Sequence, residues 1–129
     1  MPYVSSREAL NLGQASLPEI SEALGPGAWR KAIVGSPSCR VVLLHLPPGE
    51  EPHPPHRHPR ADEVFLILQG LGAFTVGDAP EVLAGPLTVV YAPADVPHRI
   101  RVPGPEPLLW LSVVAPNLDA PDEAVEEAG

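Results

Sequence analysis

The chain has 129 residues, a net charge of −8 and a single cysteine, Cys39, so it is long enough for one domain with its own core and cannot form an internal disulfide. The acidic balance excludes the usual nucleic-acid-binding proteins, and no apolar run approaches the length of a membrane span. We expect a single cytoplasmic domain, because the N terminus also lacks the basic and apolar segments of a secretory signal.

The first predicted element is a short helix in an N-terminal arm, residues 1–28. Ser16–Glu19 is a capping-box pattern with proline in the first turn, and Gly25 is a stop signal. Between them, apolar side chains recur at helical spacing: Leu17, Ile20 and Leu24. This pattern predicts a helix over about 18–24. The arm is too short and too weakly basic for a helix-turn-helix, which argues against DNA binding.

From residue 29 onward, short apolar and β-branched stretches alternate with glycine and proline, which is typical of an antiparallel sandwich or barrel. Strands are predicted over 29–34, 40–46, 53–58, 63–68, 72–77, 80–84, 87–92, 97–103 and 108–115. The β-barrel would thus occupy 29–116, and the acidic segment 117–129 would be a solvated, flexible tail. The proline-rich loops and the preference for arginine over lysine fit a thermophilic source and a GC-rich genome equally well.

Several predicted strands are apolar on both faces, whereas a half-exposed antiparallel strand should alternate. They lie at 41–46, 63–68 and 108–114. We therefore expect the outer face of one sheet to be covered, and a homodimer across that face is the simplest cover. Leu66 is predicted to point outward at this interface.

Two histidines one residue apart, His56 and His58, are followed by Glu63 and, much later, by His98. Side chains at i and i+2 on an extended chain project from the same side, so the first two imidazoles can grip one ion. Glu63 has the wrong parity for that strand, but Pro59 favours a bend that lets the carboxylate come from the next strand. Three imidazoles and one carboxylate are a ligand set for a divalent metal.

The pattern His-x-His-x4-Glu-x6-Gly, followed by the segment Pro93–His98, resembles the two conserved-motif regions of the cupin superfamily, over roughly residues 40–117. The resemblance to small single-domain cupins implies an all-β, double-stranded β-helix (jelly-roll) fold. It also implies one divalent metal ion per chain. The implied ligands, called the His/Glu cluster below, are His56, His58, Glu63 and His98.

Three positions depart from the family's pattern. Gly49 stands one residue further upstream than usual, Asp95 replaces a glycine, and Val102 replaces an asparagine. Aspartate tolerates the left-handed backbone that glycine serves, so these changes concern loop geometry rather than the metal ligands. The alternative to a metal site is a degenerate cupin with a weak or empty one.

Side chains beside the cluster are predicted to line a mainly apolar pocket: Phe65, Ile67, Tyr91, Ile100 and His53. Phe65 and Ile67 share the parity of Glu63, whereas His53 would lie at the entrance. Tyr91 and Trp110 also fit ordinary core positions, and His45 fits a partly buried structural role. Arg57, Arg99 and Arg101 alternate away from the cluster and are predicted on the outer face or rim.

The sequence leaves two functions open. The first is a metal-dependent enzyme for a small molecule, because this ligand set leaves open positions on a six-coordinate ion. The motif strands offer no separate acid/base pair, so oxidative, dioxygenase-like chemistry is favoured over isomerase-like chemistry. The second is a non-catalytic module that binds a metal or a small ligand. The ligand types do not distinguish Fe, Mn, Ni, Co and Zn.

Overall fold

The computed structural model describes residues 4–6, 13–51, 54–118 and 124–125. These residues form one helix and eleven short strands, so the predicted all-β fold with a short N-terminal helix is confirmed. The elements in chain order are β1 (Val4–Ser6), α1 (Leu17–Leu24), β2 (Trp29–Gly35), β3 (Arg40–Leu46), β4 (His56–Arg57), β5 (Asp62–Gln69), β6 (Gly72–Val76), β7 (Val82–Ala84), β8 (Val89–Ala92), β9 (His98–Arg101), β10 (Leu108–Ala115) and β11 (Ala124–Val125).

The strands form two sheets. One has six strands in the order β1-β2-β3-β10-β5-β8, and the other has five in the order β11-β4-β9-β6-β7. Among the described strands, the only parallel pair is β1 with β2. Consecutive strands repeatedly change sheet, as from β4 to β5 and from β9 to β10, which is the predicted double-stranded β-helix.

The main core lies between the two sheets. Phe65 and Trp110 come from the six-stranded sheet, and Phe74 and Ile100 come from the five-stranded sheet. The rings of Phe65 and Phe74 lie 5.4 Å apart between centroids. Each such side chain contributes about 1.5–3 kcal/mol when it is fully buried, so this layer holds the two sheets together.

Helix α1 packs on the outer face of the six-stranded sheet. Ser16 caps it by accepting a hydrogen bond from the Glu19 backbone N–H, and Gly25 ends it with φ 83°. Leu17 and Ile20 contact a second group of buried residues, called the outer cluster here: Trp29, Ile33, Leu43 and Leu109. Part of the sheet face that was predicted to need a partner is thus covered by the chain's own helix.

Several strands are shorter than predicted, and in β4 and β9 the flanking prolines are the reason. Strand β9 is His98–Arg101 rather than 97–103, because prolines flank it at 97 and 103 and cannot donate to a ladder. Strand β4 is only His56–Arg57, since Pro54 and Pro55 precede it; residue 53 lies outside the described residues. Leu87 has φ 66°, so β8 begins two residues later than predicted, at Val89.

Two pairings were not predicted. β1 pairs with β2, and β11 pairs with β4 through Ala124–Val125. Strands of two or three residues carry too few positions to show a period of two. Apart from Ala124–Val125 and residues 117–118, the predicted flexible tail lies outside the described residues.

Gly70 joins β5 to β6 at a position where no side chain fits. Its φ is 83°, and a Cβ there would lie 2.1 Å from the Pro107 carbonyl oxygen. The motif glycine therefore allows the turn to pass close to the backbone before β10. No helix within the described residues is long and apolar enough to cross a membrane.

Candidate metal centre

Strand pairing brings the histidines together. His56 on β4 and His98 on β9 are direct cross-strand partners, and their ring centroids lie 4.4 Å apart. His58 lies two residues after His56, and its ring centroid is 5.0 Å from that of His56. The same-side projection predicted from the i, i+2 spacing is therefore present.

Glu63 reaches this group from the opposite sheet. A turn at Pro59-Arg60 separates β4 from β5, so the carboxylate comes from the next strand, as predicted, and this strand belongs to the other sheet. Glu63 Oε1 lies 2.9 Å from His58 Nε2 and 3.1 Å from His98 Nε2. All four members of the His/Glu cluster are buried, and one donor atom from each lies within 4.8 Å of the others.

The loop before β9 is tied to the loop after β4. The Asp95 backbone N–H donates to the His58 carbonyl oxygen over 2.8 Å, and Asp95 itself has φ 65°. Aspartate thus adopts the left-handed conformation expected where the family's pattern has glycine. The Asp95 carboxylate also lies 3.4 Å from Arg57, on the exposed side of the loop.

The electrostatics of the cluster favour a charged carboxylate. Burial alone would raise the pKa of Glu63, but its polar contacts with His58, His98 and Ser112 outweigh burial and hold the pKa well below its usual range. The lowered pKa favours the carboxylate form of Glu63. A buried anion surrounded by imidazoles is suited to a cation.

The donor atoms fit a divalent metal ion. Two ligands at right angles, each about 2.1 Å from an ion, are about 3 Å apart, close to the 2.9 and 3.1 Å separations around Glu63 Oε1. In the described part of the chain, Nδ1 of the buried His98 makes no hydrogen bond, and Nε2 has only its 3.1 Å ionic contact with Glu63. Buried ring nitrogens rarely lack a hydrogen-bond partner, and coordination of an ion would give one of these nitrogens a partner.

Sequence reasoning missed Ser112. This buried residue on β10 donates a hydrogen bond from Oγ to Glu63 Oε2. The signal was a single hydroxyl at an inward-facing position of the otherwise apolar stretch 108–115. Burying a hydroxyl is costly unless it has a partner, so its position pointed to a buried acceptor.

Three of the predicted pocket residues lie inside the barrel. Phe65, Ile67 and Ile100 are buried in the main core, and the Phe65 ring lies 5.4 Å from that of His98. Their contact with a ligand remains a prediction. His53 lies outside the described residues.

The interior placement of Tyr91 was wrong. Strand β8 pairs with β5 so that Ala92 is opposite Glu63 and Tyr91 is opposite Val64. Tyr91 therefore takes the outward parity of Val64, and 52% of its surface is exposed. Burial in part and the nearby Asp62 carboxylate raise the pKa of the Tyr91 hydroxyl. Trp110, by contrast, belongs to the main core.

His45 has the structural role that its context indicated. Its Nδ1 lies 2.7 Å from the Gly27 carbonyl oxygen, and its ring stacks on Trp29 at 5.4 Å between centroids. These two contacts of His45 connect β3 to the loop after α1. The side chain lies on the outer face of the sheet, away from the His/Glu cluster.

The neighbouring arginines lie at the surface, as their parity predicted, and they form ion pairs there. Arg99 Nε lies 2.6 Å from Glu51, and Arg101 lies 2.5 Å from Glu81. Hydrogen bonding to Arg101 lowers the pKa of the exposed Glu81 carboxyl. These pairs lie outside the barrel, so they provide no counter-charge for an anion bound at the cluster.

Comparison with solved structures gives similar folds. TT1209 from Thermus thermophilus is 28% identical with a TM-score of 0.72, covering 81% of this chain and 98% of that one. An uncharacterized protein with a double-stranded beta-helix domain from Klebsiella pneumoniae is 25% identical with a TM-score of 0.69, covering 78% and 85%. The DMSP lyase DddQ from Ruegeria pomeroyi is 25% identical with a TM-score of 0.66, covering 76% and 51%. The chain thus spans about half the length of that lyase.

No curated protein sequence matches the chain. The family model described as "Cupin domain" matches residues 42–114, a segment that contains the whole His/Glu cluster. Because this segment is more than half of the 129 residues, and because the fold is a double-stranded β-helix, the chain belongs to the cupin family.

Proposed function

We propose that this cupin binds one divalent metal ion at the His/Glu cluster and uses it to convert a small molecule in a dioxygenase-like oxidation. The observation that carries the proposal is the contrast between the cluster and the rest of the interior. Four buried donor groups converge at one point between the sheets. Around them, the described core is almost entirely apolar.

The buried polar groups decide between kinds of chemistry. Besides the cluster, the described residues bury only two polar side chains, His45 and Ser112. His45 lies on the outer face beside Trp29, and Ser112 already donates to Glu63. No further group in the described interior could act as a general acid or base, so reactions that depend on protein-mediated proton transfer are disfavoured.

The chain's own contribution would then be positioning and exclusion of water. Phe65 packs against the His98 ring, and Ile100 lies two residues along β9 from His98, on the same inward face. These side chains would orient an apolar part of a small molecule. A redox-active ion held by the cluster would supply the electron-transfer chemistry. Glu63, as a ligand, would not be available as a free base.

Metal exchange combined with oxygen uptake tests this proposal. Protein loaded separately with Fe²⁺, Mn²⁺ and Zn²⁺ would be offered a panel of small diketones, thiols and phenols. We expect oxygen consumption with at least one redox-active ion and none with Zn²⁺, since Zn²⁺ accepts similar ligands without redox chemistry. Full-rate turnover with Zn²⁺ would contradict the oxidative proposal and favour Lewis-acid chemistry.

The likeness to the DMSP lyase favours a second candidate, a metal-dependent lyase without net oxidation. Adding DMSP to the same panel distinguishes the two, because its cleavage would consume no oxygen. A non-catalytic cupin module is the remaining alternative. Micromolar binding of a small ligand, with no turnover under any metal, would establish that alternative and contradict both enzymatic proposals.

We also propose that the chain forms a homodimer. Outward-facing Val64 and Leu66 of β5 are half-buried, and they are not among the side chains that pack on the outer cluster. A second apolar surface lies on the edge strands β7 and β8, where Leu83 and Val89 are exposed. Apolar edge strands tend to associate, so charged substitutions on the two surfaces identify the one that is used.

A further inference from the structure

Ser112 occupies an unusual place for a hydroxyl. It lies on β10 between Leu111 and Val113, and only 6% of its surface is exposed. The other inward-facing residues of β10 are apolar: Leu108, Trp110 and Val114. A hydroxyl at such a position costs free energy unless it is hydrogen-bonded, and the bond it makes is to the Glu63 carboxylate.

The two oxygen atoms of Glu63 have different surroundings. Oε1 faces His58 Nε2 at 2.9 Å and His98 Nε2 at 3.1 Å. Oε2 accepts the hydrogen bond from Ser112 Oγ. Because the terminal torsion of a glutamate side chain is soft, this bond fixes which oxygen is presented to the histidines.

The sheet register makes this contact possible. On β10, Val114 lies opposite Glu63, and Ser112 lies opposite Phe65. Ser112 is therefore the diagonal neighbour of Glu63 on the same inward face, within reach of a long side chain. A hydroxyl on the adjacent strand can thus restrain the carboxylate.

We propose that Ser112 is a positioning residue, which holds the Glu63 carboxylate so that Oε1 alone faces the ion and Oε2 is kept out of the coordination sphere. The proposal rests on the proposed metal function of the His/Glu cluster. One-oxygen binding by the carboxylate leaves one more coordination position for a substrate than two-oxygen binding does. Ser112 would thereby help to keep the site open.

Cobalt binding to the full-length protein provides the test, because Co²⁺ absorption reports coordination and needs no knowledge of the substrate. The variants are Ser112→Ala, which removes the hydroxyl, and Ser112→Thr, which keeps a hydroxyl at this position. The packing control is Val42→Ala, since Val42 is buried on β3 directly opposite Ser112. Affinity would be measured by competition with a chelator, coordination by X-ray absorption, and folding by thermal melting of the metal-free proteins.

We expect Ser112→Ala to bind Co²⁺ about 10- to 100-fold more weakly, as is typical when a hydrogen bond to a metal ligand is lost. Its X-ray absorption should change from one-oxygen to two-oxygen binding by the carboxylate. Ser112→Thr should keep the Co²⁺ affinity and the one-oxygen coordination of the parent. Val42→Ala should lower the melting temperature while its affinity and spectrum stay close to those of the parent.

Two results would overturn the proposal, and they differ in what else they affect. If the parent binds Co²⁺ and Ser112→Ala matches it in affinity and spectrum, the positioning role is wrong and the metal function stands. If the parent binds no Co²⁺, both fail. Should Ser112→Ala not fold, Ser112→Cys replaces it, because a thiol keeps the size but is a weaker donor. Parent-like binding by that variant would equally contradict the proposal.

Discussion

Replacing His98 by alanine should greatly weaken metal binding while leaving a folded chain. Structural zinc sites bind with about 10–16 kcal/mol through four ligands, so one ligand accounts for about 2.5–4 kcal/mol. A loss of that size corresponds to an affinity about 10²–10³-fold lower. His98 is also the cross-strand partner of His56 and contacts Phe65, so some loss of thermal stability should accompany the change.

His45→Ala is the matched control, because it removes another buried histidine from the same chain. His45 contacts Gly27 and Trp29 on the outer face of the sheet rather than the His/Glu cluster. Calorimetric titration of metal-free protein with Zn²⁺ should therefore give a parent-like affinity for His45→Ala at a reduced melting temperature. Equal affinities for His98→Ala and the parent would refute the assignment of His98 as a ligand.

The remaining predictions concern pH, assembly and the turn after β5. Metal affinity should fall as the pH is lowered, because an imidazole must be neutral to bind an ion and the lowered pKa of Glu63 keeps its carboxylate from being the group that takes up the proton first. A flat Zn²⁺ titration from pH 8 to pH 5 would contradict this. Light scattering at micromolar concentration should give the mass of a dimer, and a monomeric parent would refute dimerisation. If β5 forms the interface, Leu66→Asp should weaken the dimer more than Leu83→Asp does. Gly70→Ala should destabilise the fold by more than about 1 kcal/mol, since its Cβ would collide with the Pro107 carbonyl at positive φ. Gly85→Ala, which meets nothing within 4 Å, should stay within about 0.5 kcal/mol in the same denaturation experiment, and equal losses would refute the steric argument.

The sequence was informative about the cluster because local rules determine its geometry. The i, i+2 spacing of His56 and His58 determined their common side, and Pro59 indicated the change of strand before Glu63. Asp95 was compatible with a left-handed turn and adopts one. These features depend on the backbone within a few residues, so they could be predicted without tertiary information.

Features that depend on register could not be predicted in the same way. The prediction that Tyr91 lines the interior was wrong because its parity is set by the pairing of β8 with β5. The hydrogen bond from Ser112 to Glu63 joins residues 49 positions apart, so the lone hydroxyl in an apolar strand indicated a buried acceptor but not which residue it is. The packing of α1 on the outer cluster likewise depends on where the helix lies against the sheet.

The central claim is that the His/Glu cluster holds one divalent metal ion. Elemental analysis of the purified protein, alongside the double variant His56→Ala/His98→Ala, tests this claim most directly. We expect close to one equivalent of metal per chain in the parent and almost none in the double variant, whose remaining donors cannot enclose an ion. A double variant with the metal content of the parent would show that the ion binds elsewhere, and the account of this site would be wrong.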